Sequence, residues 1–233
     1  MPCDQEMTNP HKEMISSADG RKFDAYVSEP TSPNGHAVIV LQEIFGVTAD
    51  IRRVADRFAQ DGFVAYAPDL FWRMSPGVEL THSKEGMQRA LELLGQYQDE
   101  DGVSDIAQTA AHIRKDFQGK VAAAGLCLGG KLAYLAATLA TVDAAVAFYG
   151  VGIEKRLDAA AAIRCPLMLH FGDQDPYVSD QSREQIANAL ANKAVQSHLY
   201  PGANHGFYTR GQAADIELAR QRTNAFLKRA LTA

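Results

Sequence analysis

The segment from Gly125 to Gly130 carries a residue pattern that could do nucleophilic chemistry. It reads Gly-Leu-Cys-Leu-Gly-Gly and follows an apolar run that predicts a β-strand. A nucleophile flanked by glycines two residues to either side, between a strand and a helix, is typical of the nucleophile elbow. The start of the following helix offers N–H groups and a partial positive charge, which both favour the thiolate form of a cysteine. The pattern therefore predicts Cys127 as a nucleophile.

Two other interpretations of this segment stay open on the motif alone. The residues from Gly125 to Lys131 nearly match the phosphate-binding loop G-x-x-x-x-G-K-[ST], but Leu132 stands where that loop needs a hydroxyl group for magnesium. Cys127 could also be a small buried apolar residue, which is the common fate of a free cysteine. The rest of the chain has to decide between these interpretations.

An elbow predicts that an acidic residue and then a histidine follow the nucleophile along the chain. Asp173 and Asp175 follow an apolar strand, and His205 stands in a glycine-rich stretch after the last predicted strand. Sites in open α/β sheets form at the carboxyl ends of the strands, where all these positions are expected. We predict His205 as the base and Asp175 as the acid that orients it, with Asp173 as a turn residue.

Strands and helices alternate along the chain, which predicts an α/β fold with a mostly parallel, doubly wound sheet. Asp19-Gly20 predicts a hairpin between Glu13–Ser17 and Lys22–Glu29, so the sheet starts with antiparallel N-terminal strands. Apolar runs predict further strands at Ala37–Leu41, Phe63–Ala67, Val121–Ala124, Ala144–Phe148 and Pro166–Phe171, and we predict a last strand at Val195–Tyr200. Apolar residues at helical spacing predict helices at Ile51–Phe58, Gly86–Leu94, Ile106–Phe117, Leu128–Leu139, Ser182–Ala191 and Ile216–Ala230.

Length and composition indicate one ordinary globular domain over residues 1–233, with a flexible N-terminal segment over residues 1–12. The chain is 46% apolar and 22% charged, both close to average usage. The net charge of −5 and the lack of a basic cluster argue against a nucleic-acid partner. The longest apolar stretches are too short to span a membrane, so we expect no membrane association.

The cysteines and histidines bear on compartment and cofactors. Three widely spaced cysteines do not make a disulfide framework. The N-terminus also lacks the basic and apolar regions of a secretory signal, and together these features predict a cytoplasmic protein. The histidines lack the spacing of metal ligands, so we expect no metal and no cofactor.

Several motifs in one order resemble the dienelactone hydrolase family of cysteine α/β hydrolases, and the resemblance covers nearly the whole chain. They are Gln42-Glu43-Ile44-Phe45-Gly46, Ala67-Pro68-Asp69-Leu70-Phe71, Gly125-Leu126-Cys127-Leu128-Gly129-Gly130, Gly172-Asp173-Gln174-Asp175 and Asn204-His205-Gly206-Phe207. The resemblance implies the α/β-hydrolase fold and a carboxymethylenebutenolidase-type activity in aromatic degradation. It also implies catalysis by Cys127, His205 and Asp175 without a cofactor.

The resemblance implies roles for three residues beside this triad. Glu43 would engage the thiol in the resting enzyme and help gate thiolate formation when substrate binds. A salt-bridged loop carboxylate is the alternative for this residue. The backbone N–H groups of Ile44 and Leu128 would form the oxyanion hole, which stabilises the charge of the tetrahedral intermediate.

The resemblance also bears on substrate binding. Family members that break down chlorocatechols hold the substrate carboxylate with two arginines, and Arg73 matches the first of them by context. The second is expected four residues after the catalytic histidine, where this chain has Thr209, with Arg210 one place later. This departure weakens the case for dienelactone itself as the substrate. Trp72, beside Arg73, could line the pocket or pack in the interior.

The combined prediction is a hydrolase that opens a small-molecule ester or lactone through an acyl-enzyme intermediate and works as a monomer. One alternative is a carboxylesterase or thioesterase for another acyl group, which would use the same triad. The other is a non-catalytic protein that binds ligands or senses redox state through its thiol. Cys3 and Cys165 do not have the placement of a resolving thiol, which weakens the sensing alternative.

Overall fold

The computed structural model describes residues 8–232 and divides the chain into two compact units. The first unit ends at Val121 and the second begins at Ala122. The single domain predicted over residues 1–233 stays a prediction. Within residues 8–232, none of the helices combines the length and apolar character needed to cross a membrane.

The first unit contains four strands in the order β1-β2-β4-β3. They are β1 (Thr8–Ser16), β2 (Lys22–Pro30), β3 (Ala37–Leu41) and β4 (Val64–Pro68). The β1–β2 and β2–β4 pairs are antiparallel, and the β3–β4 pair is parallel. The predicted hairpin is confirmed, because the Ser17 N–H donates to the Arg21 carbonyl at 2.8 Å and Gly20 takes the left-handed conformation of the turn.

β1 begins at Thr8, five residues before the predicted strand. Thr8 pairs with Pro30, and Lys12 pairs with Tyr26. The flexible segment predicted over residues 1–12 is therefore wrong for residues 8–12, which form part of the β1–β2 ladder. This part of β1 is largely exposed, so its sequence lacks the apolar alternation that marks a half-buried strand. Residues 1–7, including Cys3, lie outside the described residues.

The helices of the first unit are α1 (Ala49–Gln60), α2 (Lys84–Leu94) and α3 (Asp99–Ile113). The helical periodicity at Ile51 is confirmed, because α1 buries the residues at the predicted spacing, which are Ile51, Val54, Ala55 and Phe58. The helix predicted to reach Phe117 ends at Ile113, because the chain turns at its C-terminus, where the Lys115 N–H donates to the His112 carbonyl. Phe117 therefore lies beyond the helix.

The second unit contains consecutive parallel strands and the segments that follow them. The strands are β5 (Val121–Leu126), β6 (Ala144–Phe148), β7 (Leu167–Gly172) and β8 (Val195–Tyr200), in that order. The helices are α4 (Leu128–Ala136), α5 (Asp180–Leu190), α6 (Phe207–Arg210) and α7 (Ala213–Thr232), with short 3₁₀ helices at Ile153–Lys155 and Leu157–Ala162.

Every residue of β5, β6 and β7 is buried, as expected for strands covered on both faces. Because these strands and β8 are parallel, the segments after their carboxyl ends meet at the same edge of the sheet. The predicted fold class, an α/β fold with a mostly parallel sheet and an antiparallel N-terminal strand, is confirmed.

Candidate active site

Cys127 alone forms the turn from β5 to α4. β5 ends at Leu126 and α4 begins at Leu128, and Cys127 between them has φ 56° and ψ −113°. A positive φ is rare for a residue with a Cβ and is held only where the surroundings fix it. Here the Cys127 N–H donates to the Phe148 carbonyl at 3.1 Å. A turn of one residue leaves no loop to surround a phosphate, so the phosphate-loop interpretation does not fit.

The glycines of the motif stand where backbone segments approach too closely for a side chain. A Cβ on Gly125 would lie 1.8 Å from the Gly129 carbonyl oxygen, and one on Gly130 would lie 2.6 Å from the Phe148 carbonyl oxygen. The first contact is across the turn itself, and the second is between α4 and the end of β6. The turn at Cys127 and the packing of α4 therefore both require glycine at these positions.

Asp175 and His205 form a direct pair. Asp175 follows β7, His205 follows β8, and His205 Nδ1 lies 2.8 Å from Asp175 Oδ2. The side chain of His205 is 14% exposed and that of Asp175 is 0% exposed. The other carboxylate oxygen of Asp175 accepts the Tyr177 N–H at 2.8 Å. Because the site is poorly exposed to water, the hydrogen bond between His205 and Asp175 is stronger than it would be at the surface. This bond also places the proton of a neutral His205 on Nδ1.

Asp173 has a different partner. Its carboxylate accepts the Gly202 N–H at 2.6 Å, and its own N–H donates to the Tyr200 carbonyl at 3.2 Å. Asp173 thus connects the loop after β7 to the loop after β8, as a turn residue would. The structure therefore places Asp175, and not Asp173, against His205.

Two tyrosine rings contact His205, and neither contact was predicted from the sequence. Tyr149 and Tyr177 each lie with the ring centroid 4.9 Å from that of His205, in edge-to-face orientation. Tyr149 follows β6 and, like Cys127, has a positive φ of 39°. The position of Tyr177 two residues after Asp175 was the signal that could have pointed to it.

The turn after β6 connects Cys127 to His205. The Cys127 carbonyl accepts the Val151 N–H at 3.3 Å, and Tyr149, two residues earlier, contacts the imidazole. The second unit thus brings the elbow, Asp175 and His205 to the edge of the sheet where β5 to β8 end. Leu128, whose N–H was predicted for the oxyanion hole, is the first residue of α4 and follows Cys127 directly.

Arg210 lies at the end of α6, close to His205 in the chain. Its guanidinium packs against Gly206, since a Cβ there would lie 2.3 Å from Arg210 Nη2. A cavity of about 230 Å³ borders both His205 and Arg210, and Asp215 is among its other lining residues. The four-residue helix α6 was not predicted from the sequence.

Glu43 and Ile44 belong to the first unit and follow Gln42, the first residue after β3. Glu43 is 3% exposed. His82 Nε2 lies 4.0 Å from its Oε2 atom, and the His82 ring packs on Phe45 with centroids 4.1 Å apart. The predicted roles of Glu43 and Ile44 towards Cys127 stay predictions.

Arg73 and Trp72 lie in a network inside the first unit. Both terminal nitrogens of Arg73 donate to the Asp105 carboxylate, at 2.5 and 3.0 Å, and Trp72 Nε1 donates to it at 2.9 Å. The Arg73 guanidinium also stacks 4.3 Å from the Trp72 ring, which in turn stacks on Phe23. These contacts favour the packing alternative for Trp72. The carboxylate that binds the Arg73 guanidinium in this structure is that of Asp105. The predicted contact of Arg73 with a substrate carboxylate stays a prediction.

Cys165 is a second free thiol, buried shortly before β7. Burial, assisted by the charge of Asp143, raises the pKa of the Cys165 thiol to about 12. Because the thiolate is the reactive form, Cys165 is a poor nucleophile at neutral pH. Among residues 8–232, no group of three or more histidine, cysteine and acidic side chains is arranged to hold a metal ion.

Comparisons with known proteins show which family the chain belongs to. The profile of the dienelactone hydrolase family matches residues 23–231. A carboxymethylenebutenolidase of Pseudomonas sp. (strain P51) is 40% identical over 197 residues, which cover 83% of this chain and 82% of that protein. A carboxymethylenebutenolidase of Pseudomonas putida is 36% identical over 221 residues, which cover 91% of this chain and 94% of the relative.

The fold is shared with solved structures. A crystal structure named "Putative Dienelactone Hydrolase", from Klebsiella pneumoniae subsp. pneumoniae, superimposes with a TM-score of 0.84 at 26% identity. The match covers 95% of this chain and 98% of that one. The family match over residues 23–231, the identity to relatives along most of the chain and this structural likeness lead to one conclusion: the chain is a hydrolase that belongs to the dienelactone hydrolase family.

Proposed function

We propose that the protein opens a carboxylic ester or lactone through a Cys127–His205–Asp175 triad and an acyl-enzyme intermediate. The observation that carries the proposal is the 2.8 Å contact between His205 Nδ1 and Asp175 Oδ2, at the sheet edge where Cys127 forms the elbow. A nucleophile, a base and an orienting acid in this chain order are the functional set of an α/β hydrolase.

The proposed base uses its two ring nitrogens for different tasks. Asp175 holds Nδ1, so Nε2 is the atom that takes the proton of Cys127 and later delivers it. The carboxylate, 0% exposed and held by the Tyr177 N–H, stabilises the imidazolium that forms. The N-terminus of α4, directly after Cys127, favours the thiolate through its partial positive charge.

The reaction then proceeds in two acyl transfers. The Cys127 thiolate attacks the carbonyl carbon and forms a C–S bond, the C–O bond of the ester or lactone breaks, and the leaving oxygen takes the proton from His205. Water next attacks the thioester while His205 accepts a proton from it, and the C–S bond breaks to release the acid and the thiolate. In this proposal the N–H groups of Ile44 and Leu128 stabilise each tetrahedral intermediate, and Glu43 gates formation of the thiolate.

The proposed substrate is a small lactone or ester, because relatives at 36–40% identity are named carboxymethylenebutenolidases. For a substrate that carries a carboxylate, Arg210 beside the His205 cavity is the proposed anchor. An ester without a carboxylate is the alternative, favoured by the engagement of Arg73 with Asp105. We further propose that the protein acts as a cytoplasmic monomer, without a nucleic-acid, membrane or cofactor requirement.

The test compares hydrolysis of p-nitrophenyl acetate and of cis- and trans-dienelactone by the wild type and by Cys127→Ala. Turnover should require Cys127, and the matched control Cys165→Ala, which removes the other buried thiol, should keep it. Asp175→Asn should lower kcat by about 10⁴-fold, as loss of the orienting acid does in other triads, while Asp173→Asn should have a small effect. Full activity of Cys127→Ala would refute the proposal. If the protein is inactive on all these substrates but an electrophile labels Cys127, the result would favour the non-catalytic thiol alternative.

A further inference from the structure

Two aromatic rings contact the His205 imidazole. Tyr149 and Tyr177 contact the imidazole at the same centroid distance of 4.9 Å, with interplanar angles of 66° and 76°. Edge-to-face contacts at this distance are favourable and restrict the orientation of the rings that make them. His205 therefore lies in an aromatic clamp, which we define as the rings of Tyr149 and Tyr177.

Each ring of the aromatic clamp is anchored to another part of the candidate site. The Tyr149 N–H donates to the His170 carbonyl at 2.7 Å, and the same turn contacts the Cys127 backbone. The Tyr177 N–H donates to Asp175 Oδ1, the carboxylate oxygen that does not contact His205. The backbone of Tyr149 is thus linked to the elbow, and the backbone of Tyr177 is linked to Asp175.

The two rings differ in exposure. Tyr149 is 0% exposed, whereas Tyr177 is 57% exposed, so of the two rings Tyr177 is the one that lies at the protein surface. With Tyr177 in place, the imidazole is 14% exposed and the carboxylate of Asp175 is 0% exposed. Without that ring, water would reach the hydrogen bond between them and compete for both partners.

We propose that Tyr177 is a positioning residue that holds the His205 imidazole against Tyr149 and keeps the His205–Asp175 hydrogen bond dry. The role rests on the proposed function of His205 as the base. The ring acts through His205 and not on the substrate, so its effect is on the rate of acyl transfer and not on substrate affinity. The hydroxyl group has no part in it.

The test uses Tyr177→Ala, with Tyr177→Phe as the matched variant that keeps the ring. Both variants retain the backbone N–H that Asp175 accepts, so they isolate the side chain. In proton NMR spectra, the downfield resonance of the His205 Nδ1 proton should persist in the wild type and Tyr177→Phe, and should be broadened by exchange with water in Tyr177→Ala. In the same variant kcat should fall by about five- to tenfold with KM unchanged, while Tyr177→Phe restores it.

Leu199→Ala serves as a control, because Leu199 is a similarly exposed apolar side chain on β8 at 50% exposure. It should leave both kcat and the resonance as in the wild type. Wild-type kcat in Tyr177→Ala, a changed resonance with unchanged kcat, or the same loss in Tyr177→Phe would overturn the inference. Failure of the proposed function is distinguishable, because it would appear as a wild type without Cys127-dependent turnover.

Discussion

Arg73→Ala separates a residue that stabilises the fold from one that binds substrate. Resemblance predicts that Arg73 holds a substrate carboxylate, but in the structure it holds Asp105 with both terminal nitrogens. If the ion pair is its main task, Arg73→Ala should lower the free energy of unfolding and leave KM for a carboxylate-bearing lactone unchanged. Arg210→Ala should raise KM for that lactone and leave the free energy of unfolding unchanged.

The magnitude follows from the burial of the two partners. Removing one partner of a buried ion pair costs about 3–5 kcal/mol, because the remaining charge has no counterpart. The Asp105 side chain is 0% exposed, but Arg73 is 18% exposed, and Trp72 still donates a hydrogen bond to Asp105 after the substitution. We therefore expect about 3 kcal/mol, at the lower end of that range. For a chain of this size the loss corresponds to a decrease in Tm of roughly 6–12 °C.

The loss should also depend on pH. Burial raises the pKa of Asp105 above its ordinary value of 3.8, and the hydrogen bond and charge of Arg73 oppose that rise. Without Arg73 the folded-state pKa rises further, so the folded chain retains a proton that the unfolded chain has lost. Stability is then lost as pH rises through the folded-state pKa, and the variant should be less impaired in acid than at neutral pH.

The assay is urea unfolding of the wild type, Arg73→Ala and Arg73→Lys, together with lactone kinetics at one pH. Arg89→Ala is the control, because the Arg89–Glu92 pair is exposed at 45% and 47% and should contribute at most about 1 kcal/mol. Arg73→Lys keeps the charge but loses the paired hydrogen bonds and should fall between the wild type and Arg73→Ala. If Arg73→Ala has unchanged stability and a raised KM, the structural role is refuted and the predicted contact with substrate is supported.

Two further predictions concern pH and the elbow. Burial, with smaller effects of His198 and Arg222, lowers the pKa of His170 well below its ordinary 6.5. Below pH 6.5, His170 is therefore protonated in the unfolded chain but not in the folded chain. This difference should reduce the free energy of unfolding by about 1.4 kcal/mol per pH unit below 6.5. Urea titrations of His170→Gln should show a smaller pH slope than the wild type, and an equal slope would contradict the assignment. Gly125→Ala should destabilise by about 3 kcal/mol or more, because its Cβ would lie 1.8 Å from a carbonyl oxygen. Gly95→Ala, with 3.4 Å of space, should unfold in urea near the wild-type midpoint, and equal stability of the two variants would count against the steric reason.

The candidate triad was predictable because each member depends on local signals. Gly125 and Gly129 flank Cys127 and mark the elbow, and β5 and β7, the strands before Cys127 and Asp175, are largely apolar. The strands β3 and β6 start and end where their apolar runs predict, and β8 also has the predicted bounds. The distinction between Asp175 and Asp173 followed from turn chemistry alone, and their hydrogen bonds agree with it.

The contacts that depend on distant residues were not predictable. Asp105 lies 32 residues from Arg73, on α3, and nothing near Arg73 in the sequence reveals that a buried carboxylate will hold it. His82 meets Glu43 across an even longer separation in the sequence. β1 was predicted too short because its first residues are polar and exposed, and they are held by the backbone ladder to β2. The resemblance assigned a substrate-binding role to Arg73 from its neighbours in the sequence, which do not reveal that Asp105 is its partner.

The elbow has an evolutionary consequence. The described contacts that fix its backbone are the Cys127 N–H and carbonyl bonds to the segment at the end of β6, and the close approaches at Gly125 and Gly130. All of them are made by main-chain atoms, so residue 127 could change from a thiol to a hydroxyl without any rearrangement of the turn. Under the proposed mechanism, a lineage with this backbone can therefore exchange a sulfur nucleophile for an oxygen nucleophile by a single substitution, with selection then acting on the groups that activate it.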